Sequence, residues 1–256
     1  MTNPVRFLSG TLMASSLLAT GCAQVDSEDL KTSGMYANIR VKAKDTTTAE
    51  VGVDLTAGSG GAASKVNLTQ GDTLTAVAGG QNQTLSQTYT VKLVNDLHYR
   101  TAFDFDGSGE AFTIALQRDA GQSAPDSTVT LPAAFSITAP TEGASLSAGD
   151  TLTVTWDPPQ QDRTLMLTVV ATCATSDGPR PVFLHADDAP DDGIENIAVD
   201  ELINQATDNG RRRLTGPCDG KLRLQRSNIG TLDPHFGGGT IAALQVRTRG
   251  FTIAAP

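Results

Sequence analysis

Gly-Asp-Thr-Leu-Thr-Val-Thr-Trp-Asp-Pro-Pro, residues 149–159, is the stretch from which the rest of the chain can be read. Gly149-Asp150 is a turn pair, since glycine supplies a positive φ and aspartate bonds its own nearby backbone. Leu152, Val154 and Trp156 then alternate with Thr151, Thr153 and Thr155. A period of two buries one face of a strand, and β-branched residues suit the pleat. Pro158-Pro159 cannot donate to a ladder and closes the element. Trp156 reads as a core residue rather than an exposed sugar platform, because aromatics are only 5% of the chain.

The pattern has an earlier echo. Leu68-Thr-Gln-Gly71-Asp72-Thr-Leu74-Thr75 matches Leu146-Ser-Ala-Gly149-Asp150-Thr-Leu152-Thr153 at a constant offset of 78 residues. Two tandem sandwiches sharing one hairpin geometry explain it. The competing explanation is that Gly-Asp hairpins are common. A boundary near Pro132 leaves a first domain at 35–131 and a second at 132–256, both of ordinary size.

Period-two segments fill both halves. Ala37, Ile39, Val41 and Ala43 alternate with Asn38, Arg40 and Lys42, and Val51, Val53 and Leu55 follow. Glycines 58, 60 and 61 separate these from Val66 and Leu68. Tyr89, Val91 and Leu93 form an inward set, then Tyr99, Phe103 and Phe105, then Phe112, Ile114 and Leu116. Residues 119–127 read as a loop. In the second half, strands are expected at 135–140, at Leu165, Leu167 and Val169, at 182–184, at Leu222 and Leu224, and over 241–253. Residues 197–205 suggest one or two helical turns, and the glycine-rich 230–239 a loop. Short strands at regular spacing with glycine turns give an all-β class of sandwiches.

Residues 148–159 resemble the second strand of fibronectin type III and related immunoglobulin-like domains, where a tryptophan packs in the core and prolines end the strand. The likeness implies a β-sandwich for 132–256. The tyrosine corner of that family has no counterpart, since residues 219–226 hold no tyrosine. Residues 129–140 are also similar to proteobacterial lipoproteins, a likeness that implies no activity.

The N-terminus fits such a lipoprotein. One positive charge at Arg6, an apolar run over 7–19 and small residues before Cys22 form an export signal too short to span a bilayer. Leu18-Ala19-Thr20-Gly21-Cys22 resembles the lipobox, with its leucine one place further back than usual. The resemblance implies removal of residues 1–21 and acylation of Cys22, which anchors the chain to a membrane. Ala23, rather than aspartate, after the cleavage point resembles the outer-membrane sorting pattern. Residues 22–34 are polar and read as a flexible lipidated tether.

Composition narrows the partners. The formal charge is −9, and −10 once Arg6 is removed, which disfavours nucleic acid. Another envelope protein or a glycan is the expected partner, beside the membrane itself. Cys173 and Cys218 remain in an oxidising compartment and are expected to form one disulfide. No Gly-x-Ser-x-Gly, His-Glu-x-x-His, phosphate loop or Cys-x-x-Cys occurs. The histidines His98, His185 and His235 are scattered, so a hydrolase would need a site assembled from separate loops. A non-catalytic structural or binding module is the expectation, the alternative being a calcium-dependent glycan-binding or adhesion module.

Two acidic segments raise calcium. Asp104, Asp106, Ser108 and Gly109 match the start of a calcium loop, but the twelfth position is Ala115 rather than glutamate. The alternative is a polar hairpin tip. Asp187, Asp188, Asp191, Asp192 and Glu195 form the second segment. Calcium would staple such a loop. The alternative is a solvated loop facing Arg211-Arg212-Arg213, a run that could also grip acidic glycans or phosphates. No other cofactor is indicated.

Overall fold

A computed structural model describes residues 24–45, 47–58, 63–89, 97–105 and 109–255, the side chains of His185 and Asp187 excepted. The first half runs through β1 (Gln24–Asp26), β2 (Met35–Ala43), β3 (Thr48–Ala57), β4 (Ser64–Asn67), β5 (Thr73–Ala78), β6 (Gln81–Thr84), β7 (Ser86–Tyr89), β8 (Leu97–Asp104), β9 (Ala111–Gln117) and β10 (Ala124–Thr130). The second comprises β11 (Ser136–Ala139), β12 (Ala144–Leu146), β13 (Thr151–Asp157), β14 (Thr164–Thr175), β15 (Gly178–Pro190), β16 (Ile194–Ala198), α1 (Val199–Thr207), β17 (Leu214–Ile229) and β18 (Gly238–Ile253).

The class is all-β, with two sandwich-type cores. Alternation places the core: Met35, Ala37, Ile39, Val41 and Ala43 of β2 are each at most 1% exposed. The first core gathers these with Val51, Leu74, Phe103, Phe112 and Ile114. The Phe103 and Phe112 rings meet edge to face at 5.4 Å. The second gathers Phe135, Leu152, Val154, Trp156, Leu167, Val169 and Leu222. Tyr89 departs from its inward expectation and is 41% exposed, while Val91 and Leu93 lie outside the described residues. The loop expected at 119–127 ends sooner, because Ala124 already pairs with Leu116.

One large sheet backs both cores. Its path is β1-β4-β3-β2-β18-β17-β14-β15, with β7, β8 and β12 joined at its sides. A four-stranded sheet, β10-β9-β5-β6, faces it over the first core, and a three-stranded sheet, β11-β13-β16, over the second. The repeated Gly-Asp segment is therefore a corner between layers, not a hairpin. In each copy it takes the chain out of the large sheet (β4, β12) and into the facing one (β5, β13). Gly71 and Gly149 have φ of 83° and 84°. The Asp72 and Asp150 N–H groups donate to Thr69 and Ser147 carbonyls at 2.9 and 3.1 Å.

The two cores are not two separable chain segments. β18 pairs antiparallel with β17 over most of its length and parallel with β2 over residues 238–245. Phe236, Ile241 and Ala243 belong to the first core, while Phe251 and Ile253 belong to the second. A boundary at 132 divides neither the sheet nor the apolar cores, since residues 236–243 return to the first core. Glycines permit the insertion: a Cβ on Gly239 would lie 2.0 Å from the Ala37 carbonyl oxygen, and one on Gly237 2.3 Å from that of Ser33.

The tether expectation also changes. Residues 24–34 form β1 and two short 3-10 turns, and β1 pairs parallel with β4. Ser27 and Thr32 are 0% and 2% exposed. Arg118 holds them: its Nη2 donates to the Ser27 carbonyl at 2.6 Å and its Nη1 to the Leu30 carbonyl at 2.9 Å. Its Nε meets Asp72 Oδ2 at 3.0 Å, both side chains being at most 3% exposed. These polar residues are buried because each finds a partner there.

Candidate functional site: a basic groove on the shared sheet

Strand pairing brings cations from both halves onto the outer face of the large sheet. β2 presents Arg40 and Lys42 there, opposite to its core face, and Lys44 follows its last residue. β18 lies next, with Lys42 opposite Leu244. β17 follows, with Arg223 opposite Thr248 and Lys221 opposite Gly250. Beyond it, Val170 of β14 stands opposite both Lys221 and Phe183 of β15.

A groove of about 550 Å³ has Lys42 and Lys44 on one wall and Lys221, Arg223 and Phe183 on the other, with Val246 and Thr248 between. A second concavity of about 350 Å³ shares Lys42 and Lys44 and continues past Arg40 to Arg100. Phe183 is 58% and Val170 40% exposed, so an aromatic and an aliphatic side chain lie beside the cations.

Glu50 and Asp54 also line the second concavity. Lys44 pairs with Glu50 at 3.0 Å. Among the described residues no carboxylate is within ion-pair distance of Lys42, Lys221 or Arg223. Partial burial, then Arg223 and Lys44, hold the Lys42 ammonium below the usual lysine range; Glu50 opposes this and Arg40 adds to it. Arg223 donates from Nη2 to Gln225 Oε1, but its Nε is buried with no acceptor. A concentration of positive charge in a chain of charge −9 is chemistry for holding an anion.

The groove rests on a rigid seam. Arg226 and Arg247 place their guanidinium groups 4.6 and 5.4 Å from the centre of the Phe135 ring. Arg247 Nε donates to the Phe135 carbonyl at 2.8 Å, and its Nη1 to the Val246 carbonyl at 2.9 Å. Arg226 Nη1 donates to the Ala133 carbonyl at 3.2 Å. The segment joining the cores is thus held from the back of the shared sheet.

The residues singled out from sequence are dispersed. Cys22 lies outside the described residues. Cys173 and Cys218 sit opposite each other on β14 and β17 and are bonded, with S–S 2.00 Å. Asp104 ends β8 exposed, while Asp106 and Ser108 lie outside the described residues. The second acidic segment does not form the expected loop. Asp188 is exposed on β15, and Asp192 is exposed and accepts the Ile194 N–H at 3.2 Å. Asp191 is buried and accepts from Trp156 Nε1 at 2.7 Å and from Arg226. Its charge is met by Arg226, leaving no need for a cation. The arginine run does not face it: Arg211 and Arg212 pair with Asp208, and Arg212 with Asp177. Among the described residues no three potential metal ligands converge.

His235 meets a carboxylate, Asp233, at 2.8 Å. The pair staples a turn: Asp233 also accepts the His235 and Asp126 N–H groups at 2.9 and 2.8 Å. Ser127 is fully buried and accepts the Asp233 N–H at 3.1 Å. That geometry fixes the 230–237 loop against β10. The groove itself was missed from sequence. Its signal is the alternation of cations, Arg40-x-Lys42-x-Lys44 and Lys221-x-Arg223, in an acidic chain.

No family model matches the sequence, and no curated protein matches it. Among solved structures, the fibronectin(III)-like modules of Clostridium thermocellum CbhA are similar at TM-score 0.24 and 12% identity, over 86% of this chain and 90% of that one. The Yersinia pseudotuberculosis adhesin InvE is similar at TM-score 0.22 and 13% identity, over 87% and 60%. The Bacteroides ovatus protein SGBP-B, solved with a mixed-linkage heptasaccharide, gives TM-score 0.19 and 9% identity over 100% and 71%. These values assign the chain to no family.

Proposed function

We propose that the chain is a lipid-anchored, non-catalytic binding module of the bacterial envelope, presenting its basic groove to a partner. The carrying observation is the groove: Lys42, Lys221 and Arg223 from both halves, none with a carboxylate at ion-pair distance among the described residues, held on one continuous sheet. The lipobox-like sequence at Cys22 and Ala23 supports an outer-membrane anchor. Among the described residues no helix is long and apolar enough to cross a membrane. Because β1 begins at Gln24, an acylated Cys22 would hold the body within roughly 7 Å of its lipid, at about 3.5 Å per residue. The His235–Asp233 pair serves a turn.

Cross-linking in living cells tests this. A photo-reactive residue at Thr248, in the groove, is expected to capture a discrete envelope component. The same residue at Val77, on the four-stranded sheet, is expected to capture none. Identical capture from both positions, or none from either, would contradict the proposal.

A further inference from the structure

We infer that the groove takes an anionic polysaccharide, a chain of sugar acids with spaced carboxylate or phosphate groups. This rests on the binding-module reading above and names the chemistry of its ligand. The two cationic walls stand on β2 and β17, two strand spacings apart across the ladder and offset along it: Lys42 is level with Ser227, six residues from Lys221. A sugar-acid chain crossing the groove obliquely can set successive acidic groups against Lys42 and Lys44 on one wall and Lys221 and Arg223 on the other.

The neutral parts of the groove fit the neutral parts of such a chain. A pyranose ring has an apolar C–H face, and Phe183, 58% exposed beside Val170 and Lys221, offers an aromatic surface for it. Thr248 carries a hydroxyl between the walls. Nucleic acid suits the site less: its charge is denser than these separated cations match, and the whole chain is net −9. An extended acidic peptide cannot add a strand here, because the interior strands that floor the groove already spend their backbone groups on one another. The large sheet also puts distance between groove and anchor. Three strand spacings, roughly 14 Å, separate β1 from the near wall on β2, and five, roughly 24 Å, from the far wall on β17.

The test uses the full chain purified from membranes in detergent and fluorescent polygalacturonate as probe. Dextran serves as the neutral control and polyglutamate as the charge-matched polypeptide. Polygalacturonate should bind, should weaken with added salt, and should exceed polyglutamate by about tenfold or more, while dextran should not bind. Lys42→Gln and Lys221→Gln should each weaken it by about five- to tenfold, since each removes one charge-assisted contact. Phe183→Ala should weaken it several-fold through the lost ring surface. Arg211→Gln, which removes an exposed cation outside the groove, should leave it unchanged. Far-UV circular dichroism and melting temperature, unchanged in all four variants, verify folding. Absence of polygalacturonate binding, equal binding of polyglutamate, or indifference to both lysine substitutions would overturn the inference. If Thr248 still cross-links a component in cells while polygalacturonate fails to bind, the ligand assignment falls and the binding-module reading stands.

Discussion

Arg226 grips Asp191 with two prongs, Nε to Oδ2 at 2.6 Å and Nη2 to Oδ1 at 2.8 Å, and neither side chain is more than 2% exposed. The same carboxylate accepts Trp156 Nε1, and the same guanidinium reaches the Pro158 and Ala133 carbonyls. The pair thus joins β17, the end of β13 and the segment between the cores. Removing Asp191 alone strands a buried guanidinium, which costs about 3–5 kcal/mol. Asp191→Ala should lower the urea midpoint accordingly. The double variant Asp191→Leu/Arg226→Met should recover part of that loss, because neither charge is then left unpaired.

Gly239 marks where β18 slides in beside β2. Its φ is 126° and a Cβ there would strike the Ala37 carbonyl. Gly239→Ala should destabilise by about 2 kcal/mol or more through strain and a displaced ladder. Hydrogen exchange should accelerate in residues 36–43 as well as 238–245, because those strands share the ladder.

Arg118 is the clamp on the N-terminal segment. Arg118→Ala removes its bonds to Ser27, Leu30 and Asp72 together. Amides of residues 24–34 should then exchange faster, while those of β14 and β17 keep their protection. Equal exchange in variant and parent would show that the segment is held by other contacts.

Asp233 gives the chain an acid-sensitive staple. Burial pulls its carboxyl upward, but the N–H groups of His235 and Asp126 and the His235 ring outweigh that and hold it below the ordinary aspartate range. A depressed carboxyl stabilises the fold above its unfolded value, about 3.9, and that stability is lost as pH falls through the folded value. Asp233→Asn should therefore cost about 1 kcal/mol at neutral pH. In acid below the folded value, parent and variant should have converging urea midpoints. A constant gap across pH would contradict the assignment.

Period-two alternation made most strands readable, because a strand such as β2 shows its buried face in its own residues, Ala37, Ile39 and Val41. The Gly-Asp echo was visible too, but not that it turns a corner, since corner and hairpin use the same turn residues. Residues 24–34 misled because polarity suggests exposure, whereas the partner that buries Ser27 is Arg118, 91 positions away. Arg226 was equally hidden as the counterion of Asp191, 35 positions distant and on another strand. The groove needed the parallel β2–β18 pairing, in which Thr240 meets Asn38 across 202 residues. Locally, Lys42 and Arg223 each look like an ordinary solvated strand position.

On the proposed reading, acylation at Cys22 would place this body, and hence its groove, at a membrane. Mass spectrometry of the N-terminal peptide from the protein in its native host measures that modification directly. The expected species begins at Cys22 with a diacylglyceryl mass increment and lacks residues 1–21. An unmodified peptide continuous through Gly21 and Cys22 would contradict the anchored reading.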